Sequence, residues 1–342
     1  MKILIDHNCP FFLAHGGFQI QMEQTKAALQ ARGLEAEYVR WWDTEQQGDV
    51  IHYFGRPIGS YVQLAQQKGI KVVISELMSG QGARSRGALA GQTMIMRTLR
   101  RLLPGVWSYR LGWDSFRLAD ACIGLTSWEA SLMQMLYSPK PDRVHVVSNG
   151  VEKVFLEAPA GPPPERGQWL VCTATVTPVK RMLEMAEAAV LARAPFWVVG
   201  RPYSATDPYF LRFQELAARH PEVIRYEGGI SDRARLALVY RQARGFVLLS
   251  AMESQSLSAC EAAACGCPLL LSDLPWARCT FGSAATYCPV TSVPETAEVM
   301  QRFYRMAPTL PAPPRPPGWA EVAASLEQIY ASLLRGPSPA AG

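Results

Sequence analysis

The sequence predicts an α/β protein of two doubly wound parallel sheets, and three observations predict it. Short apolar runs, each ending in a glycine, a small polar residue or a carboxylate, alternate with longer amphipathic stretches along nearly the whole chain. That alternation is the signature of strands buried on both faces and joined by crossover helices. It is interrupted once, by Ala158-Pro-Ala-Gly-Pro-Pro-Pro-Glu165, and then restarts; a proline-rich stretch of this kind reads as a linker. At 342 residues the chain is also long enough for two hydrophobic cores.

The first half opens with a strand, Lys2 to Asp6, which leads through Pro10 and His15 to Gly16-Gly17. A helix follows from Gln19 to Arg32, apolar at Ile20, Ala27, Ala28 and Leu29 and closed by Gly33. Strand, glycine loop and helix in that order bring backbone amides within reach of a phosphate. Further strands are predicted at Glu37–Arg40, Asp49–Phe54 and Ile70–Ser75, with a helix between the last two. Another strand spans the run from Ala119 to Thr126, followed by a helix from Trp128 to Leu136. The half closes with a strand from Arg143 to Ser148 and the turn Asn149-Gly150, a pair suited to positive φ.

The second half repeats the scheme. A strand from Trp169 to Thr173 precedes Thr175-Val-Thr-Pro-Val-Lys180-Arg181, a helix to Arg193 and a strand from Phe196 to Val199 that ends in Gly200. A helix from Tyr209 to Arg219 and a strand from Val223 to Glu227 lead to Gly228-Gly-Ile230-Ser-Asp-Arg, the start of a capped helix to Arg241. The most informative stretch comes next. A buried strand, Phe246 to Leu249, delivers Glu253 just past its carboxyl end, and Ser254-Gln-Ser256 turns the chain into a helix from Leu257 to Ala264. Gly266 and Pro268 stop that helix. Strands at Pro268–Ser272 and Thr286–Cys288 follow, then the stiff connector Pro311–Pro317 and a helix from Trp319 to Leu334. The tail from Gly336 carries no structural pattern and is expected to be disordered.

In open α/β sheets ligands bind outside the carboxyl ends of the strands. A carboxylate at such an end, followed by free amides of Ser256, Leu257 and Ser258 at a helix start, suits an anionic, hydroxyl-rich ligand. Ser258-Ala-Cys-Glu261 also fits a helix capping box, a purely structural use of the second carboxylate. Lys180, just after a strand, suits a phosphate as a point charge, with Arg181 beside it.

Composition narrows the class. Hydrophobic residues make up 49% and charged residues 18% of a chain with net charge +5, as in a soluble, well-packed protein. The mild positive charge suits an anionic ligand or a lipid surface and does not require nucleic acid. Residues 77 to 113 contain no Asp or Glu. Arg84, Arg86, Arg97, Arg100, Arg101 and Arg110 are interleaved there with Met94, Ile95, Leu99, Leu102, Trp107 and Trp113. Two readings stand: a basic face toward anionic lipid or acidic glycan, or an amphipathic helix from Thr93 to Leu103 with solvated arginines. The start of the chain lacks a signal-peptide layout and no apolar run approaches the ~18 residues of a membrane span. The expected setting is therefore cytoplasmic, with peripheral contact at the inner membrane face. The eight cysteines are scattered and read as buried hydrophobes of a reducing compartment. Cys265-Gly-Cys267 lacks the second half of a zinc site.

Glu253 and Glu261 form an E-x7-E pattern that continues into E-A-x-A-x-G-x-P, and this resembles the donor site of retaining glycosyltransferases of the GT-B type, especially family 4. Gly16-Gly17, Asn149-Gly150, Lys180 and Gly228 match the family in the same order. The resemblance implies two Rossmann-like domains facing a cleft: residues 1–152 on the acceptor side, a linker at 153–168, and a nucleotide-sugar domain at 169–310. The helix 319–335 would cross back onto the first domain. It further implies that Glu253 holds sugar hydroxyls and Glu261 the ribose, with Lys180, Arg181, Gly16, Gly17 and the amides of 256–258 meeting the diphosphate. Gly200 and backbone near Ile230, beside the nucleobase, complete the donor side. His15, Glu76 and Asn149 are the acceptor-side candidates. No metal and no cofactor beyond the nucleotide-diphosphate sugar are expected, and the leaving phosphate would deprotonate a glycan, lipid or small-molecule acceptor. The sequence departs from the family where Thr175 replaces an arginine, Leu77 a histidine, Ser148 a proline and Ser254-Gln-Ser256 a glycine-bearing loop. Those departures keep a non-catalytic binding protein in view beside the transferase. An epimerase or phosphorylase of the same fold, and a bilobed solute-binding protein, would share the two-lobed α/β pattern.

Overall fold

The computed structural model describes all residues except 9, 12–15, 103–104, 106–110, 159–164 and 336–342. The chain divides into two units, Met1–Gly150 with Trp319–Gly342, and Val151–Gly318.

The sheet of the first unit has six parallel strands in the order β2-β1-β3-β4-β5-β6. They are β1 (Lys2–His7), β2 (Glu35–Tyr38), β3 (Val50–Phe54), β4 (Lys71–Ser75), β5 (Ala121–Gly124) and β6 (Val144–Val146). Ile3, Ile5, Val50, Val72, Val73 and Ile74 are wholly buried, as expected of strands covered on both faces. The helix Trp319–Arg335 packs beside the helix Gly17–Ala31, and Arg32 Nε donates to Glu327 at 2.6 Å. At position 150 a Cβ would lie 2.7 Å from Trp319 Cα. Glycine there thus permits the close approach of the helix start.

His52 ties the same helix to the sheet. Its Nδ1 is 2.7 Å from the Tyr330 hydroxyl and its Nε2 is 2.7 Å from Ser75 Oγ. Complete burial pushes the imidazole down to about 3, so it is a neutral bridge between β3, β4 and the last helix.

The second unit repeats the architecture with the order β12-β11-β10-β7-β8-β9, again all parallel. Its strands are β7 (Leu170–Thr173), β8 (Phe196–Val199), β9 (Ile224–Glu227), β10 (Gly245–Leu248), β11 (Leu269–Ser272) and β12 (Thr286–Cys288). From β7 the chain winds one way through β8 and β9, then returns to β10 and winds the other way. The point of reversal lies between β7 and β10, the place where such sheets bind ligands. In the first sheet the corresponding reversal lies between β1 and β3.

Three features differ from the sequence expectation. The stretch 153–168, read as a linker, is anchored at both described ends: Lys153–Leu156 is a short helix with Phe155 fully buried, and Arg166 donates to the carbonyls of Ala243 and Gly266. The basic helix starts earlier than predicted, at Arg86, and runs to Leu102. Two helices without a predicted counterpart, Pro275–Phe281 and Val293–Met306, cover the second sheet with Trp276, Ala277, Met300 and Phe303. Among the described residues no helix is long and apolar enough to cross a membrane, and the seven described cysteines are free. Burial pushes the thiols of Cys260 and Cys267 up to about 12.

Candidate functional site

The loops leaving β7 and β10 meet at the reversal point of the second sheet. Ala251 N donates to Val179 O at 2.8 Å, which holds the two loops together. Pro178–Lys180 forms a tight turn opened by Thr177, whose hydroxyl accepts from Lys180 N. Lys180 Nζ reaches Glu253 Oε1 in a short ion pair, and Ser250 Oγ donates to the same oxygen at 3.0 Å. Ser250 is itself fixed from below, its carbonyl accepting from Ser272 Oγ at 2.6 Å. The second neighbour of Glu253 is Ser254, whose hydroxyl is buried and has no hydrogen-bond partner among the described residues. A buried hydroxyl left in that state is available to a ligand.

Glu261 is held separately. It is the fifth residue of the helix Leu257–Ala264 and only 6% exposed. Its Oε1 accepts from Arg233 Nη2 in a short ion pair, and its Oε2 accepts from the Tyr240 hydroxyl at 3.1 Å. Tyr240 in turn lies 2.5 Å from Thr173 Oγ1 at the end of β7. Arg233 continues the network to Glu152 at 2.7 Å and sits 4.7 Å over the Phe155 ring. The pair is unequal. Burial pushes the Glu261 carboxyl up by more than Arg233 and Tyr240 pull it down. For Arg233, burial pulls the guanidinium down, but the charges of Glu261 and Glu152 outweigh that and leave it raised. The same burial, reinforced by the Glu261 charge, lifts Tyr240 well above its ordinary range.

The capping-box use of Glu261 is overturned by this geometry. Ser256 is the N-cap, accepting from Ala259 N at 3.3 Å and lying 3.0 Å from Ser258 Oγ, while Glu261 faces Arg233 and Tyr240. The amides of Leu257 and Ser258 stand at the helix start, as expected. Gly200 follows β8 at a point where a Cβ would lie 1.8 Å from Ala174 O. Only glycine lets those two strand ends approach. Ile230 is half-buried against the core, two residues before Asp232 caps the helix Arg233–Gln242.

Other predicted residues are placed elsewhere. Arg181 adopts a left-handed conformation, φ 53°, and its buried side chain donates to Thr291 O at 2.8 Å. That contact braces the loop before Val293, while the Arg181 Nη1 is buried with no hydrogen-bond partner among the described residues. In the first unit, Gly16 (φ 143°) and Gly17 open the helix Gly17–Ala31, with no atom near the position a Cβ at Gly16 would take. Asn149 is buried beside Gly150. Glu76 is bound on both oxygens by Arg56, at 2.9 and 2.7 Å, and Arg56 lies 4.5 Å over the Tyr137 ring. His15 lies outside the described residues. Among the described residues no cluster of three His, Cys, Asp or Glu side chains is arranged to hold a metal ion.

Sequence reasoning missed Arg233, Tyr240 and Ser250. Arg233 and Tyr240 are seven residues apart on one helix, hence on one face, and that spacing was the available signal.

Comparison with known proteins bears on the second unit and on the fold. Residues 167–305 match the Glycosyl transferases group 1 family. A D-inositol 3-phosphate glycosyltransferase of Catenulispora acidiphila is 33% identical over 171 residues, which cover 44% of this chain and 40% of that protein. The chain thus spans well under half the length of that relative. Among solved structures, the sucrose-phosphate synthase of Thermosynechococcus elongatus superposes with TM-score 0.66 at 16% identity, over 98% of this chain and 100% of the other. Anabaena HepE, in complex with UDP and glucose, gives TM-score 0.62 at 12% identity, over 97% and 100%. At such identities these likenesses establish the two-domain Rossmann-like fold.

Proposed function

We propose, on the premise that residues 167–305 form a group 1 glycosyl transferase domain, that the protein transfers a sugar from a nucleotide-diphosphate sugar to a hydroxyl acceptor with retention of configuration. One observation carries the reading: Lys180 and Glu253 pair in the loops after β7 and β10, where the second sheet reverses, and Glu261 lies in the helix that follows β10.

In this reading the donor diphosphate takes Lys180 away from Glu253. The lysine and the amides of Leu257 and Ser258 then stabilise the charge that grows on the leaving phosphate. Glu253, released but still held by Ser250, accepts from sugar hydroxyls, and the unpaired Ser254 hydroxyl offers a further contact. Glu261 accepts from the ribose hydroxyls, because each of its oxygens retains a lone pair after binding Arg233 or Tyr240. The bond from the anomeric carbon to the phosphate oxygen breaks and a bond to the acceptor oxygen forms on the same face. The acceptor proton passes to the departing phosphate. This assignment gives charge neutralisation to protein groups and calls on no metal.

The acceptor is a glycan, lipid or small polyol. A lipid-borne acceptor is favoured by the helix Arg86–Leu102, which holds Met94, Ile95 and Leu102 more than half exposed beside Arg97 and Arg101. The naming of a related protein as a D-inositol 3-phosphate glycosyltransferase adds cyclitol phosphates to the acceptors to be tried. The test is kinetic: Glu261→Ala should weaken donor binding, and Glu253→Ala should lower turnover more than donor affinity. Wild-type kinetics in both variants would remove the assignment. Nucleotide binding without transfer or donor hydrolysis would instead support a binding protein.

A further inference from the structure

The first sheet has its own reversal point, between β1 and β3, and a pocket of about 630 Å³ opens there. Its size falls within the roughly 300–1,000 Å³ of small-molecule sites. The wall is formed by the carboxyl ends of three strands: Asp6 and His7 from β1, Tyr38 and Val39 at β2, and Tyr53 from β3, with Trp41 beside them. Asp6 is 3% exposed and organises the pocket. Its Oδ1 accepts from His7 N at 2.8 Å and from the Trp41 indole at 3.3 Å, and its Oδ2 accepts from the Tyr61 hydroxyl at 2.6 Å.

Two features specify the ligand. The walls are aromatic, yet Trp41 remains 72% exposed although an indole gains by burial. Its indole N–H is tied to Asp6, and the neighbouring Tyr61 ring centre is 6.5 Å away. Secondly, among the described residues the lining contains no lysine or arginine. The nearest arginine in sequence, Arg40, is engaged by Glu37 and Asp43, and Lys26 is engaged over the Tyr38 ring, 5.5 Å from its centre. A phosphate would thus meet a carboxylate and no lysine or arginine in the wall, whereas a ring bearing hydroxyls and C–H faces would meet an acceptor and flat aromatic walls.

We infer that this pocket binds an uncharged saccharide or cyclitol ring of the acceptor, with Asp6 accepting from its hydroxyls and Trp41 covering one face. The inference rests on the transferase reading, since it names the acceptor that the reaction would use. It also separates this chain from a transferase whose acceptor carries its phosphate at this point. Burial, and then the nearby Asp6 carboxylate, push Tyr53 up to about 12 and raise Tyr61 as well, so both phenols stay protonated at neutral pH.

The experiment is ligand-observed saturation-transfer NMR on the full chain. Its probes are methyl α-D-glucopyranoside, methyl α-D-mannopyranoside, methyl β-D-galactopyranoside, myo-inositol and myo-inositol 1-phosphate. At least one neutral probe should bind, more tightly than the phosphate. Trp41→Ala should weaken it tenfold or more, while Trp42→Ala, an exposed neighbour outside the pocket, should leave it unchanged. Equal binding in Trp41→Ala, preference for the phosphate, or no neutral ring bound would each overturn the inference. Donor binding is measured separately on the wild-type protein. Its presence without ring binding refutes the pocket alone, and its absence with ring binding refutes the transferase reading and keeps a saccharide site.

Discussion

Replacing Arg233 by methionine keeps the side-chain stem over Phe155 and removes the cation that faces Glu261. Breaking a fully buried pair by deleting one partner costs about 3–5 kcal/mol. The Arg233 side chain retains 30% exposure while the Glu261 side chain retains 8%. Water can enter on the arginine side, and Tyr240 still donates to the stranded carboxylate. A loss of about 2–3 kcal/mol is therefore expected, below the fully buried case. For a unit spanning residues 151–318 this corresponds to a fall of about 4–12 °C in Tm. The pH dependence gives the sharper test. Burial already raises the Glu261 carboxyl above its unfolded value, and without Arg233 it must rise further. A raised carboxyl is most costly at pH above its folded pKa and ceases to cost once both states are protonated. The deficit should thus be larger at pH 8 than at pH 5.5, as read by thermal unfolding. Adding Glu261→Gln should recover most of it, because a neutral amide needs no counter-charge. An equal deficit at both pH values, or a double variant as weak as the single one, would show that Arg233 does not neutralise a buried Glu261 charge.

Three further outcomes follow from the geometry. His52, pushed down to about 3 by burial, binds a proton more readily when unfolded; its contribution is full above about pH 6.5 and is lost progressively as pH falls toward 3. Urea unfolding at pH 5 should show about 2 kcal/mol less stability from this group than at pH 7.5, and His52→Gln should flatten that slope. Gly200→Ala would put a methyl group 1.8 Å from the Ala174 carbonyl, with backbone and no flexible side chain to yield; a loss of about 3 kcal/mol in denaturant titration is expected. Arg97→Ser and Arg101→Ser should each weaken binding to vesicles rich in phosphatidylserine by about fivefold, the worth of ~1 kcal/mol per basic residue near an anionic surface, with no effect on neutral vesicles.

The fold was legible where strands are continuous apolar runs. The helix Leu257–Ala264 and the strand Phe196–Val199 have the predicted bounds, because glycine, proline and small polar residues mark their ends. The pattern S-x-x-E shows the limit of local reading. It occurs at Ser250–Glu253, at Ser258–Glu261 and at Ser292–Glu295. Only at Ser292 does the glutamate turn back to the N-cap, accepting from its backbone N–H at 3.3 Å. Ser256 already fills the cap at the first helix, and burial turns Glu261 toward Arg233, a partner supplied by another helix. The helix Val293–Met306 went unread although that box marks its start. Arg181 shows the same limit: its neighbours in sequence give no sign that a left-handed residue at the turn ties one guanidinium nitrogen to Thr291 O. Glu76 was likewise claimed by Arg56, twenty residues away in sequence. Strand ends, which locate a site, are written in local pattern; the partners of each charge are set by tertiary packing.

If the loops after β7 and β10 bind a nucleotide-diphosphate sugar and promote its cleavage, the protein releases nucleoside diphosphate. Nucleoside diphosphate release from UDP-, GDP- and ADP-sugars, by wild type and by Lys180→Met, tests it most directly. Release is expected from one donor class, with a drop of a hundredfold or more in Lys180→Met, about 2.7 kcal/mol of lost transition-state stabilisation. Release undiminished by the substitution, or no release from any of the donors, would contradict it.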